Sequence, residues 1–332
     1  MLGTPLPVWM RLVLGAVAAL LLIPACGLFG LGDPSTRALE TGVTDSLSSP
    51  SFEMAGSYTS AGASWTVDFQ FGGPGTEHAV ITQGSVKVEA IVVGGQAYYR
   101  GQEFLTQHLG SASAARTLVQ AAGNAWWKGP ATNVPSLPEF TDAARFRATF
   151  LGPAVSTRTD HEDAGGIDSA ELSGLRGNVF IAEDPPHRLV RVELSRQATI
   201  DGIGEADFEY SNFGADFKIT KPTDVIDFSN LSTLPPLYTV MSVDTSKCVS
   251  PCVVSAVVKN LGGKTGAKAP SSVIFTMTDL TTNNVIGTCT AQITPDIGFN
   301  ATTRVSCTIT VPSGQKLDAV LITASPDNPG HA

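Results

Sequence analysis

Val86-Lys87-Val88-Glu89-Ala90-Ile91-Val92-Val93-Gly94-Gly95-Gln96-Ala97-Tyr98-Tyr99-Arg100 is two runs of extended type joined by a glycine pair. Two glycines accept the positive φ angles of a tight turn, so the stretch reads as a β-hairpin. The chain then changes period. Between Ser111 and Gly123, the residues Ala115, Leu118, Val119 and Ala122 share one helical face, and Gly123 suits a helix C-terminus. Ser136-Leu137-Pro138-Glu139 has the S-x-x-E form of a capping box, and Ala143, Phe146 and Phe150 recur behind it at helical spacing. Between the two helices stands Trp126-Trp127-Lys128-Gly129, too aromatic to be left in water. A hairpin followed by short helices with apolar faces predicts helices folded over one face of an antiparallel sheet.

The flanks supply that sheet. Phe52, Met54, Gly56 and Tyr58 alternate with Glu53, Ala55 and Ser57, and Trp65, Val67, Phe69 and Phe71 alternate with Thr66, Asp68 and Gln70. Strict period-two alternation means one apolar and one wetted face. Further strands are expected at 78–82, 155–161, 167–172, 178–183, 190–194, 206–210 and 217–219, with turns at Gly72-Gly73-Pro74-Gly75, at 162–166 and at Asp184-Pro185-Pro186. The fold class is therefore mainly β with a helical insertion.

Upstream, residues 12–25 form an apolar run of signal-peptide length, shorter than the roughly 20 residues that span a bilayer. It ends Leu22-Ile23-Pro24-Ala25-Cys26-Gly27, the pattern of a bacterial lipobox with Cys26 as the acylated residue. An ordinary secretory signal and an uncleaved anchor are the alternatives. Residues 1–25 are thus expected to be a lipoprotein signal peptide and 26–32 a Gly-rich tether. Asp33 is expected to cap a short helix, with Pro34 at its first position and its end near Ser46.

The 332-residue chain carries a net charge of −9 without long charge runs, which argues against a nucleic-acid partner. No Gly-x-Ser-x-Gly elbow, phosphate-binding glycine loop or His-Glu-x-x-His helix occurs, so no catalytic residue, metal or cofactor is expected. Asp160-His161-Glu162-Asp163 offers metal-ligand chemistry, but consecutive strand residues point to alternate faces and cannot converge. A solvated hairpin tip is the expected reading. His78, His108, His187 and His331 stand apart from any recognisable nucleophile.

Pro235-Pro236 marks a boundary, with 231–237 as linker and 33–230 as the first domain. Residues 238–332 contain about six short strands, at 238–243, 253–259, 273–278, 285–293, 303–311 and 319–324, a spacing that suggests an immunoglobulin-like sandwich. With Cys26 set aside for the lipid, Cys248, Cys252, Cys289 and Cys307 are even in number and confined to this domain. Their spacing lacks the paired short knuckles of a zinc ribbon. Two disulfides are expected instead: Cys289 to Cys307 across a hairpin whose turn is 294–302, and by elimination Cys248 to Cys252.

In its order of pieces the chain resembles the LppX/LprG-type lipoproteins, whose fold is similar to that of the periplasmic lipoprotein carrier of Gram-negative bacteria. The resemblance is carried by the lipobox at Cys26, by residues 91–99, by Trp126-Trp127-Lys128-Gly129, by residues 187–194, and by the stretch from Asn212-Phe213-Gly214 to Asp227. It implies a curved antiparallel half-barrel closed by helices, with a cavity for acyl chains of lipids or glycolipids. Phe69, Phe71, Val92, Tyr98, Phe104, Trp126, Trp127, Phe146 and Phe150 are the residues expected to line it. Implied with it are anchoring to the extracytoplasmic face of the cell membrane through acylated Cys26 and a carrier's role; for the C-terminal domain, which the resemblance does not cover, an envelope protein or the cell wall is the candidate partner. A surface interaction or adhesion lipoprotein without a lipid cavity is the alternative.

Overall fold

The computed structural model describes residues 33–73, 75–314 and 316–332; Cys26, the expected signal peptide and the tether lie outside them. Helix α1 (Thr36–Leu47) leads into five antiparallel strands, β1 (Ser51–Ser60), β2 (Ala63–Gly72), β3 (Thr76–Gln83), β4 (Val86–Val93) and β5 (Gln96–Arg100). The helical insertion follows: α2 (Gln102–Leu109), α3 (Ser113–Ala122), the strand β6 (Trp126–Pro130), α4 (Pro138–Thr141) and α5 (Ala143–Phe150). The sheet then resumes with β7 (Val155–Ala164), β8 (Ile167–Gly174), β9 (Gly177–Ala182), β10 (Leu189–Leu194), the short β11 (Thr199–Ile200), β12 (Ile203–Ser211) and β13 (Val225–Ile226). All thirteen strands join one curved open sheet along the path β13-β6-β5-β4-β3-β2-β1-β12-β10-β9-β8-β7, with β11 paired to β12. Only the β13–β6 pair is parallel. The α+β half-barrel is thus an open sheet with helices on its apolar face.

Local chemistry explains where the elements begin and end. Ser35, not Asp33, caps α1 by accepting a bond from the Ala38 N–H, so the helix starts later than Pro34 suggests. Leu39, Val43 and Leu47 of α1 are buried against the sheet. Gly42 is required on that face, because a Cβ there would lie 2.2 Å from the His187 carbonyl oxygen. The expected capping box at Ser136 does not form. Leu137 takes a left-handed conformation with φ 42°, and Glu139 accepts a hydrogen bond from Thr149 Oγ1 at 3.0 Å. Asp142 breaks the helix and caps the next one, its side chain accepting from the Arg145 N–H. Trp126-Trp127 is not a loop between helices but part of β6, which extends the sheet past β5. Strand β7 continues to Ala164, so Asp160 to Asp163 stand within the strand and Gly165-Gly166 form the tip.

The C-terminal residues form two three-stranded sheets around a second core. One contains β14 (Tyr238–Asp244), β15 (Cys252–Asn260) and β18 (Thr302–Ile309); the other β17 (Val285–Gln292), β16 (Ser272–Asp279) and β19 (Val320–Asp327). Both disulfides are present, Cys248–Cys252 and Cys289–Cys307. The second is not a cross-hairpin pair. Cys289 lies opposite Phe275 in one sheet and Cys307 opposite Val254 in the other, so the bridge ties the two sheets together.

The connector between the domains is packed. Leu234 and Leu237 are buried in the first core, and Tyr238 begins the second. Asn260, fully buried, holds this junction: Oδ1 accepts from the Leu237 and Gly262 N–H groups at 2.9 Å each, and Nδ2 donates to the Gly263 and Ile297 carbonyls at 2.7 Å. Replacing Asn260 by Ala leaves several buried backbone groups without partners, each costing about 1–3 kcal/mol. Chemical denaturation should therefore show a loss of roughly 3 kcal/mol or more. The double variant Cys289→Ser/Cys307→Ser should lower stability by about 2–5 kcal/mol, seen as early melting of the C-terminal domain.

Candidate functional site

The apolar face of the half-barrel is organised in rows, because directly paired residues of antiparallel strands lie on one side of the sheet. The register places Met54, Phe69, Ala79, Ala90, Tyr99 and Trp127 in one row across β1 to β6. All six are at most 2 % exposed. On one side of this row stand Phe52, Phe71, Glu77, Val92 and Ala97. On the other, Val67, Ile81 and Val88 precede the strand ends that carry Tyr58, Trp65, Gln83 and Val86.

At that last end, beneath α2, the packing leaves a pocket of about 220 Å³. Tyr58, Trp65, Ile81, Val86, Val88, Tyr99 and Phe104 give it apolar walls, and Ser60, Gln83, Gln107 and Asn133 give it neutral polar groups. Tyr58 and Trp65 stack with ring centroids 6.3 Å apart, and Tyr99 meets Phe104 at 5.9 Å. The Tyr99 hydroxyl is satisfied by the Pro130 carbonyl at 2.6 Å. The buried Trp65 Nε1 donor has no partner among the described residues. The volume falls below the roughly 300–1,000 Å³ of pockets for drug-sized ligands.

The residues expected to line a cavity divide into three sets. Phe104 does so. Trp127 sits behind the pocket, packed on Tyr99 at 4.9 Å and on Phe104 at 6.0 Å, while Phe69, Phe71 and Val92 belong to the neighbouring core. Phe146 and Phe150 pack on each other at 4.9 Å, and Phe140 fills the space between Phe150 and Phe208, so this part of the half-barrel is solid. Tyr98 and Trp126 face the opposite side. Tyr98 lies under Lys221 Nζ at 5.6 Å and Trp126 under the Arg100 guanidinium at 4.6 Å. The two-residue Gly94-Gly95 turn holds the signal that would have corrected this: it pairs Val92 with Ala97 and Ala90 with Tyr99, so Tyr98 cannot share a face with Val92. Helix α2, which brings Phe104 and Gln107 to the pocket, escapes the sequence reading although Leu105 and Leu109 stand one turn apart before Gly110.

One carboxyl group stands in the apolar rows. Glu77 lies between Phe71 and Val92, its Oε1 buried without a hydrogen-bond partner, and burial pushes its carboxyl up to about 7. Burial, and after it the charge of Glu77, pushes the Tyr99 phenol up to about 12. The opposite face is conventional: Glu89 joins His78 at 3.0 Å and Arg100 in a surface ion-pair group.

No protein-family model matches this chain, and no curated protein matches it. Two solved structures align with 90 % of this chain and 99 % of theirs: the crystal structure of MucB in complex with MucA(peri), at 11 % identity, and the complex of Pseudomonas aeruginosa MucA/MucB, at 12 %. The TM-score is 0.28 in each case.

The Glu77 environment has a signed consequence. A carboxyl whose pKa is higher in the folded state leaves the folded protein holding more protons, so stability falls as pH rises from about 4.5 to about 7 and then levels off. The loss amounts to at most about 3 kcal/mol. Glu77→Gln should remove that fall, so that denaturation midpoints of variant and wild type diverge between pH 5 and pH 8 in favour of the variant. A constant difference across that range would show that Glu77 titrates as an ordinary surface acid.

Proposed function

We propose that the chain is an extracytoplasmic lipoprotein, anchored through Cys26, that holds or carries a lipid or glycolipid by taking the end of one acyl chain beneath α2. The observation that carries this reading is the pocket itself, with its aromatic and aliphatic walls and its neutral rather than ionised polar groups. Walls of that kind suit hydrocarbon, and the unpartnered Trp65 Nε1 offers a donor to an ester or hydroxyl oxygen. Their lining carries no carboxylate or imidazole. The likeness to LppX/LprG-type lipoproteins and the two disulfides, which suit an oxidising compartment, support the same reading.

The size of the pocket limits the ligand. A volume of 220 Å³ equals roughly seven water-sized units, and a methylene is of similar size. Burying that length of chain at about 0.8 kcal/mol per methylene gives about 6 kcal/mol, a dissociation constant of tens of micromolar before ordering costs. The pocket therefore grips one chain end, and the remainder of the lipid stays outside.

A second reading, an envelope interaction protein, draws on the C-terminal sheet. On its outward face Val285, Thr278 and Leu321 lie side by side, followed by Thr288, Thr276 and Thr323 and then Thr290, Ile274 and Ser325. Nine neighbouring positions without a charge, with Val285 60 % and Leu321 50 % exposed, suit contact with a partner protein or the cell wall.

Native mass spectrometry of gently purified full-length chain separates the two. Co-purifying lipid at up to one molecule per chain is expected, and Gln107→Trp, an exposed position on α2 that reaches the pocket, should lower its occupancy while both disulfides stay formed. Empty protein throughout, or equal occupancy in the Gln107→Trp chain, would favour the interaction reading.

A further inference from the structure

His161 lies far from the pocket, at an irregular point of β7 where the pairing with β8 shifts between Thr159 and Glu162. Its backbone takes φ 61°, which turns the side chain out of the strand's alternation. The acids adjacent in sequence do not join it: Asp160 binds Arg158 and Asp163 accepts from the Gly166 N–H. Three carboxylates from other elements do. Asp33, just before α1, places Oδ1 3.4 Å from Nε2; Asp168 of β8 places Oδ2 3.2 Å from Nδ1; and Glu183, just after β9, places Oε2 3.3 Å from Nδ1.

Three features of this cluster suit a cation. Carboxylate oxygens face both ring nitrogens, an arrangement that favours either a second proton on the ring or, on a neutral ring, a metal ion at the nitrogen left without N–H. Glu183 has only 9 % of its side chain exposed, and the His161 N–H donates to its Oε1 at 2.8 Å, which turns Oε2 toward the ring. Among the described residues no lysine or arginine pairs with any of the three carboxylates.

We propose that Asp33, His161 and Glu183 form a binding site for a zinc-class divalent cation, with Asp168 as an additional carboxylate, which pins the start of α1 to the β7–β9 edge of the sheet. One ligand atom from each of the three lies within 4.8 Å of the others, close enough for one ion to gather them with small side-chain movements. Imidazole selects for zinc over calcium or magnesium, which prefer oxygen alone. On the lipoprotein reading Asp33 follows the tether directly, so the ion fixes the direction in which the half-barrel leaves the membrane. The site itself does not depend on that reading.

The test is a calorimetric titration of chelator-stripped full-length chain with zinc chloride near neutral pH, accompanied by thermal melts. One zinc per chain and a raised melting temperature are expected. His161→Asn keeps the left-handed backbone, which Asn tolerates, and Glu183→Gln keeps the shape; each should weaken binding roughly tenfold or more. Calcium chloride at the same concentration should leave the melting curve unchanged. The proposal is overturned if zinc gives neither heat nor a melting shift, if both variants bind it as the wild type does, or if calcium substitutes fully. Lipid occupancy by native mass spectrometry should be the same in these variants, so failure here and failure of the lipid reading are distinguishable.

Discussion

One face of the large sheet is apolar along every strand from β1 to β6, and water has to be kept off it. The row Met54, Phe69, Ala79, Ala90, Tyr99 and Trp127 is the centre of that face. At about 25 cal/mol per Å² of apolar surface, covering such a face is the largest stabilising contribution available to the domain. The helices supply the cover. Helix α1 reaches β9 and β10, α5 brings Phe146 and Phe150 toward Tyr210, and α2 lies over β4. The helical insertion follows β5 directly because a cover must leave the sheet edge and fold back over it.

The cover is uneven, and the candidate site follows from that. Where Phe140, Phe146, Phe150, Phe208 and Tyr210 meet, large rings interlock and the space is full. Under α2, Leu105 packs into the core while Phe104 and Gln107 line a pocket that the packing leaves open. A half-barrel can thus be mostly core and still retain a pocket of about 220 Å³. Glu77 belongs to the same face but lies beyond the central row from the pocket, so its burial weighs on stability rather than on a ligand.

The two domains are joined by structure rather than by slack chain. Asn260 ties the Leu237 N–H to the backbone of Gly262, Gly263 and Ile297, and at the far end of the chain the His331 N–H donates to the Ala121 carbonyl of α3 while its ring meets Asp224 at 3.0 Å. Each core remains separate, but the sandwich is held against the half-barrel at both contacts.

By itself the sequence determined what local periodicity and turn chemistry encode. The alternation in β1 and β2, the Gly94-Gly95 hairpin, α3, the six C-terminal strands and the two cysteine pairs are all legible, because each depends on neighbours a few residues apart or on parity of number. Tertiary structure alone decided which of Trp126 and Trp127 points inward, since two identical neighbours give period-two reading nothing to choose between, whereas for Tyr98-Tyr99 the register of the Gly94-Gly95 turn already held the answer. It also decided that β17 and β18, consecutive in sequence, belong to different sheets, which turns an expected hairpin bridge into a tie across the sandwich. Phe146 and Phe150 have the same helical spacing whether they line a cavity or fill a core; the outcome depended on Phe140, Phe208 and Tyr210 arriving from other elements. The gathering of Asp33, Asp168 and Glu183 around His161 is of the same kind. Asp168 faces His161 across the β7–β8 hairpin, but Asp33 and Glu183 lie far along the chain and meet it only when strand register and helix docking place them, which no local pattern records.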